Sequence, residues 1–237
     1  MKEDPNIELI SHGLYLKKEK VLVIADLHLG YEEMLSKQGV LLPRFELKDM
    51  LQELEKIFKK TGEVEKVVIT GDLKHEFGII SSQEWREILQ LFDFLSKNSK
   101  EIILIVGNHD VALGPIASKR NLEIKESFVV GNYLIVHGDF IEKSPDKKTI
   151  IIGHEHPAVI LREENRTEKY KCFLVGKWKK HRLIVLPSFN PIAEGSDILS
   201  GNCLSPYLQQ SLDNFSAYVI GDKLYYFDRL KKLKKMK

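Results

Sequence analysis

Val21-Leu22-Val23-Ile24-Ala25-Asp26-Leu27-His28 decides the fold. Five apolar residues in succession read as a buried strand, and the run stops on a carboxylate and, two residues later, an imidazole. Leu14 to Leu16 reads as the strand before it, across a turn through Lys17 to Lys20. Downstream, Leu47, Met50, Leu51, Leu54, Ile57 and Phe58 recur at spacings of three and four, which predicts a helix from about Phe45 to Lys59 with one face inward, ended by Gly62. Val67 to Thr70 is the next strand and runs into Gly71-Asp72. Ser81 with Glu84 forms a capping box for a helix whose inward stripe is Trp85, Ile88, Leu89, Phe92 and Leu95. Ile102 to Val106 is a third buried strand. Apolar runs alternating with amphipathic stretches are the pattern of an α/β domain.

After Gly114 and Pro115 strands follow one another directly. Phe128 to Val130 and Tyr133 to Val136 flank Gly131-Asn132, and Ala217 to Ile220 and Lys223 to Phe227 flank Gly221-Asp222, both hairpin signatures. Ile150 to Ile152, Val159 to Leu161, Cys172 to Val175 and Leu183 to Leu186 supply further strands. Arg162 to Lys171 and Leu199 to Asn214 read as exposed loops, the latter with a helical turn. No repeat, low-complexity linker or composition break interrupts the chain. The expectation is one domain of two sheets covered by helices over residues 1–228, followed by a basic tail, 229–237.

The 237 residues, 43% hydrophobic and 30% charged, are enough to bury a core without disulfides or a structural metal. Cys172 and Cys203 lie far apart, which excludes a four-thiolate zinc site and a cysteine-stapled scaffold and fits a reducing, cytoplasmic address. No apolar run approaches the roughly 20 residues of a membrane span. The charged start at Lys2, Glu3 and Asp4 lacks the core of a secretory signal. Arg229, Lys231, Lys232, Lys234, Lys235 and Lys237 crowd the last nine residues, so a near-neutral chain has a mildly acidic body and a basic end. That end reads as solvated, with phosphate contacts as its functional alternative. Trp178, Phe189 and Tyr207 are candidates for an exposed contact surface.

Six of the eight histidines fall just after predicted strands, beside Gly, Asp or Asn. One such histidine is commonly structural. Their joint placement matters, because open α/β sheets gather functional groups where strand carboxyl ends converge. In Asp26-Leu27-His28 an extended backbone would point both polar side chains the same way. Gly71-Asp72 projects a carboxylate from a strand end. Gly107-Asn108-His109-Asp110 supplies an amide, a proton donor and a second carboxylate where a buried strand has no structural use for them. Val136-His137-Gly138-Asp139 repeats the exit, and in Gly153-His154-Glu155-His156 the two imidazoles share one side while Glu155 faces away.

These five blocks, in this order and spacing, resemble the calcineurin-like metallophosphoesterase superfamily. Leu186-Pro187-Ser188-Phe189-Asn190-Pro191, with Gly195 and Asp197, is similar to a block in archaeal members and in the DNA ligase-associated bacterial subgroup. His75 followed by Glu76 also looks like the ligase-associated form. The resemblance implies a four-layer αββα fold of two mixed β-sheets flanked by helices. It implies that Asp26, His28, Asp72 and His156 hold one metal and that Asp72, Asn108, His137 and His154 hold the other. A shell of oxygen and nitrogen without thiolate suits Mn, Fe, Zn, Co or Ni, with Mn the expectation. Two such ions would activate a bridging hydroxide for attack on a phosphodiester, a nucleic-acid end or a cyclic nucleotide. His109 would protonate the leaving oxygen and Asp110 would orient His109. A phosphomonoesterase is the alternative, and a protein-binding scaffold of the same fold, or a lone structural zinc on His154 and His156, would leave most of these residues without a role.

Overall fold

The computed structural model describes residues 4–40, 43–76, 81–110, 122–143, 146–163 and 166–234. The first sheet runs β1 (Ile7–Ile10), β2 (Gly13–Leu16), β3 (Val21–Ala25), β4 (Val64–Thr70), β5 (Ser99–Ile105), β6 (Glu123–Lys125) in spatial order. β1 to β3 are antiparallel neighbours, and β3 to β6 are parallel. Helices α1 (Tyr31–Lys37) and α2 (Glu46–Thr61) join β3 to β4, and α3 (Ser82–Asn98) joins β4 to β5. The Ser81 capping box is formed in both directions, and α2 stops on Gly62.

The second sheet holds β7 (Ser127–Val130), β8 (Tyr133–Val136), β9 (Thr149–Ile152), β10 (Pro157–Glu163), β11 (Arg166–Trp178), β12 (His181–Val185) and β13 (Ser196–Asp197), in the order β13-β10-β11-β12-β9-β8-β7. β14 (Ser216–Ile220) pairs with β11 and β15 (Leu224–Phe227) with β14. Both expected hairpins form.

Alternation along the strands builds three apolar seams. Leu22, Ile24, Val67 and Ile69 face α2 and α3 through Met50, Leu54, Ile57, Ile88 and Phe92. Their neighbours Val21, Val23, Ala25 and Val68 meet Ile135, Ile151, Phe173 and Ile184 of the second sheet. The far face of that sheet is covered by 3-10 turns at Ile198–Ser200 and Pro206–Leu208 and by α4 (Leu230–Lys234). The sheets therefore pack as expected, with helices over the first, but the outermost layer is short turns in place of long helices.

The structure corrects several expectations. Arg162, Glu163 and Arg166 to Lys171 lie in paired strands, because β10 and β11 pair from Ala158↔Lys171 to Glu163↔Arg166; the stretch is too polar to show the alternation that marks a strand. In Leu199 to Asn214 the loop course holds, but Leu199, Tyr207, Leu208 and Leu212 are buried. Trp178, Phe189 and Tyr207, at 6%, 1% and 0% exposure, form no contact surface. Leu230 and Leu233 are buried in the second sheet's outer seam, so the basic stretch is anchored at least that far, and its last three residues lie outside the described ones. So do Gly114 and Pro115. β1 and α1 were not legible: β1 is four residues long, and the only buried residue of α1 is Glu32. Among the described residues no helix is long and apolar enough to cross a membrane.

The burial of α4 predicts that Leu230→Ala lowers unfolding stability by about 2–5 kcal/mol, the usual cost of emptying a core leucine site. Denaturant titration checks it, and a change under about half a kcal/mol would mean that this end does not pack.

Candidate metal centre

All five polar blocks leave the carboxyl ends of parallel strands: Asp26 after β3, Asp72 after β4, Asn108 and His109 after β5, His137 after β8, His154 and His156 after β9. Both sheets contribute, so the blocks meet at one end of the seam between them. Asp26, His28, Asp72, His154 and His156 have φ of 54°, 44°, 46°, 64° and 48°. The expected shared direction of Asp26 and His28 is thus reached by left-handed turns and not by an extended strand. Such a backbone is uncommon for residues with a Cβ and persists where the surroundings over-determine it. Here they do. The His28 amide donates to Asp72 O (2.8 Å), Ser188 Oγ donates to Asp26 O (2.7 Å), Asn190 Nδ2 donates to Leu27 O (2.8 Å), and the His154 amide donates to Asp26 Oδ2 (2.9 Å).

Two groups of donor atoms result, Asp26, His28, Asp72 and His156 in one and Asp72, His137 and His154 in the other, each within 4.8 Å of one another. His28 Nε2 lies 3.2 Å from His156 Nε2 and 3.8 Å from Asp72 Oδ2. His137 Nε2 lies 3.5 Å from Asp72 Oδ2, 3.2 Å from His154 Nδ1 and 3.1 Å from Asn108 Oδ1. All seven residues expected as ligands are brought together. Imidazole nitrogens and carboxylate oxygens converging from several sides are the donor set of a divalent transition metal, so the residues present fit such ions. Close approach depends on glycine at two points: a Cβ on Gly71, itself at φ 75°, would lie 2.0 Å from His137 Nδ1, and one on Gly107 would lie 2.3 Å from Asp72 Oδ1.

Charge in the cluster is divided by its geometry. Burial opposes ionisation of Asp72, but His137 outweighs it and holds the carboxyl below the usual range; Asp26 is lowered likewise, by His156 and His137 against burial. For His137, burial is overcome by Asp72 and Asp26, which hold its pKa up at about 9. Burial, then His156, pushes His28 down to about 3, and burial with His137 lowers His154. Ionised carboxylates and neutral imidazoles are the forms that bind metal, so Asp26, Asp72, His28 and His154 are already in that form, while His137 would give up a proton on binding.

His109 sits beside this cluster, its ring 5.0 Å from that of His28 and nearly perpendicular to it. Its amide donates to Asp72 Oδ1 (2.9 Å), and its Nδ1 meets His75 O at 2.6 Å. Asp110 differs from expectation. Its two oxygens accept the amides of Leu73 (2.9 Å) and Gly107 (3.0 Å), so it ties the second and third blocks together, while His109 Nδ1 meets the His75 carbonyl. Burial pushes the Asp110 carboxyl up to about 6. Glu155 faces away as expected, accepting the amides of Leu204 and Ser205.

Residues 19–223 match the family described as calcineurin-like phosphoesterase. The chain belongs to that family. Its fold is similar to that of Pseudomonas putida nuclease MPE, at 18% identity, with 93% of this chain and 94% of that one covered and a TM-score of 0.67. It also aligns with the phosphoesterase Yfce of E. coli at 12% identity, covering 84% of this chain and 87% of that one, with a TM-score of 0.40. A search of curated proteins finds no matching sequence.

In this calcineurin-like chain, the Leu186–Pro191 block works as a brace under the first donor turn. Besides Leu27 O, Asn190 Nδ2 reaches His28 O and the buried Glu46 carboxyl, while half-buried Lys171 donates to Ser188 O and Asn190 O. Glu46 and Lys171 were missed in the sequence, since nothing in a helix's first turn or a strand's middle announces a buried charge. A cleft of about 450 Å³ opens above the cluster, lined by His28, His75, His109 and His156 and, farther out, Tyr31, Lys169 and Glu194.

Burial raises the Glu46 pKa to about 8, above its unfolded value. Its protonated form therefore stabilises the fold at low pH, and that contribution is lost as pH rises from the unfolded carboxyl range through about 8. Glu46→Gln should remove this decline, so that the difference in stability between variant and wild type grows in the variant's favour from pH 5 to pH 8. Denaturant titrations at several pH values test this, and parallel pH profiles would refute it.

Proposed function

We propose that the chain is a two-metal phosphodiesterase, with nucleic-acid ends or cyclic nucleotides as substrates. Asp26, His28, Asp72 and His156 hold one ion, and Asp72, Asn108, His137 and His154 hold the other. The observation that carries this reading is the sharing of Asp72 between two groups of converging donors. When bound, paired divalent ions supply an activated water and neutralise charge on the phosphoryl oxygens. Mn is the expected metal, since no thiolate is among the donors.

The chain's own residues supply position and a proton. With Nδ1–H donated to the His75 carbonyl, His109 is held so that Nε2 is the nitrogen that serves the leaving oxygen. Its backbone amide is tied to Asp72, so donor and ligands move as one unit. The cleft extends past the histidines to Tyr31 and Lys169, and that room favours a phosphate carrying a substituent on each side over a monoester.

Elemental analysis should find two divalent ions per chain, and bis(para-nitrophenyl) phosphate should be hydrolysed only while metal is present and again after chelation and Mn addition. Full activity in stripped protein refutes the reading, and faster turnover of the monoester assigns the alternative. Asp72→Ala should lose ions from both sites, whereas retention of both would show that Asp72 does not bridge.

His109→Ala should lose about 100-fold or more on alkyl phosphodiesters, the size of a general-acid effect, and far less on a nitrophenyl ester whose phenolate leaves unaided. Metal content should stay at two. A uniform rate loss accompanied by loss of metal would make His109 a ligand instead.

A further inference from the structure

The outer seam of the second sheet runs on past its cover. Leu161, Tyr170 and Phe227 pack against that seam, stay half-buried, and line an open cleft of about 450 Å³ over β10, β11, β14 and β15. The pairing registers put the lining side chains on one face: Leu161 lies opposite Glu168, Cys172 opposite Val219, and Val219 opposite Tyr225. Alternation therefore sets Arg166, Glu168 and Tyr170 in file along β11 on this face, while Lys169 and the donor-cluster cleft belong to the other. Steps of about 6.6 Å separate the three. Tyr225 stands two strand spacings across the sheet from β11, about 10 Å, and Gly221 lies between without a side chain to fill the gap. Arg166 is exposed, and among the described residues no carboxylate forms an ion pair with it. Glu168 accepts the Tyr170 hydroxyl, and Asp222 accepts that of Tyr225 at 2.5 Å.

We propose that this cleft is a second ligand site, separate from the donor cluster, and that it takes a nucleoside 5′-monophosphate. The order of groups along β11 is the order of parts in that ligand. Arg166 meets the phosphate, since a guanidinium fork matches its oxygens. Glu168 meets the sugar, because a carboxylate holding one tyrosine hydroxyl keeps acceptor sites for ribose hydroxyls. The base enters between Tyr170 and Tyr225, the latter 41% exposed, and stacks on the rings. The hydroxyls of both tyrosines are tied to carboxylates, so the two walls are held at their tips as well as their roots. The volume suits a small ligand, and the apolar floor with a few polar groups along one side is the usual make-up of such a pocket. One cation at one end of the file serves one phosphate, which selects a single nucleotide. The proposal goes beyond the phosphodiesterase reading and does not depend on it.

Isothermal titration calorimetry of the full chain with adenosine 5′-monophosphate tests this. Arg166→Ala should weaken binding about tenfold or more, the loss of a charge-assisted contact, and Tyr225→Ala should weaken it about tenfold, the loss of a stacked base. Glu168→Ala should weaken the monophosphate but not its 2′,3′-dideoxy analogue. Adenosine alone and inorganic phosphate alone, each matching one part of the file, should bind far more weakly than the nucleotide. Asp72→Ala, which disturbs the donor cluster on the other face, should leave the affinity unchanged. Circular dichroism of each variant shows that a loss of binding is not a loss of fold. Absence of saturable binding overturns the site, and so does inorganic phosphate binding as tightly as the nucleotide. Binding that survives Arg166→Ala and Tyr225→Ala but vanishes in Asp72→Ala places the nucleotide over the donor cluster and overturns it as well.

Discussion

Everything at the site is arranged around one carboxylate. Asp72 stands at the end of β4, in the middle of the first sheet, and its Oδ2 faces both His28 from the same sheet and His137 from the other. Its Oδ1 accepts the amide of His109. One side chain thus fixes the spacing of the two donor groups and the position of His109. A buried carboxylate between buried imidazoles would be costly in isolation, and the His137 imidazole, held protonated beside it, is what chiefly keeps it ionised, with the His109 amide adding to this. The two sheets must therefore meet in register at this end, and the seam of Val68, Ile135 and Ile151 between them is what sets that approach.

The second constraint is conformational. Five of the donor residues sit in left-handed backbone, a strain of order 1–3 kcal/mol each that the surrounding hydrogen bonds must hold. The structure meets it with a brace drawn from more than 150 residues downstream: Ser188 and Asn190 grip the Asp26 to His28 backbone, and Lys171 and Glu46 grip them in turn. The Ser188–Asn190 block thus serves the site without placing a side chain in either group of converging donors.

The same lysine joins the brace to the β10–β11 hairpin. β11 is 13 residues long because it serves three neighbours, β10 at its start and β12 and β14 toward its end. Its inner half is core and its outer half is exposed and charged.

The chain's own order of residues determined the alternation of buried strands with amphipathic helices, both glycine hairpins, the capped helix at Ser81, and the identity of the polar residues at each strand exit. These are local signals: a period, a cap, a turn dipeptide, or a polar cluster where an apolar run ends. It was silent on the polar hairpin from Arg162 to Lys171, whose pairing comes from backbone hydrogen bonds that leave no pattern in side chains. Only the tertiary structure decided that Asp110 binds amides while the His75 carbonyl meets His109 Nδ1, that Asp26 and His28 converge through left-handed turns, and that Glu46 is buried and Lys171 half-buried beneath them. Each of these depends on atoms brought within about 3 Å from distant parts of the chain, and spacing along a sequence carries no record of that approach.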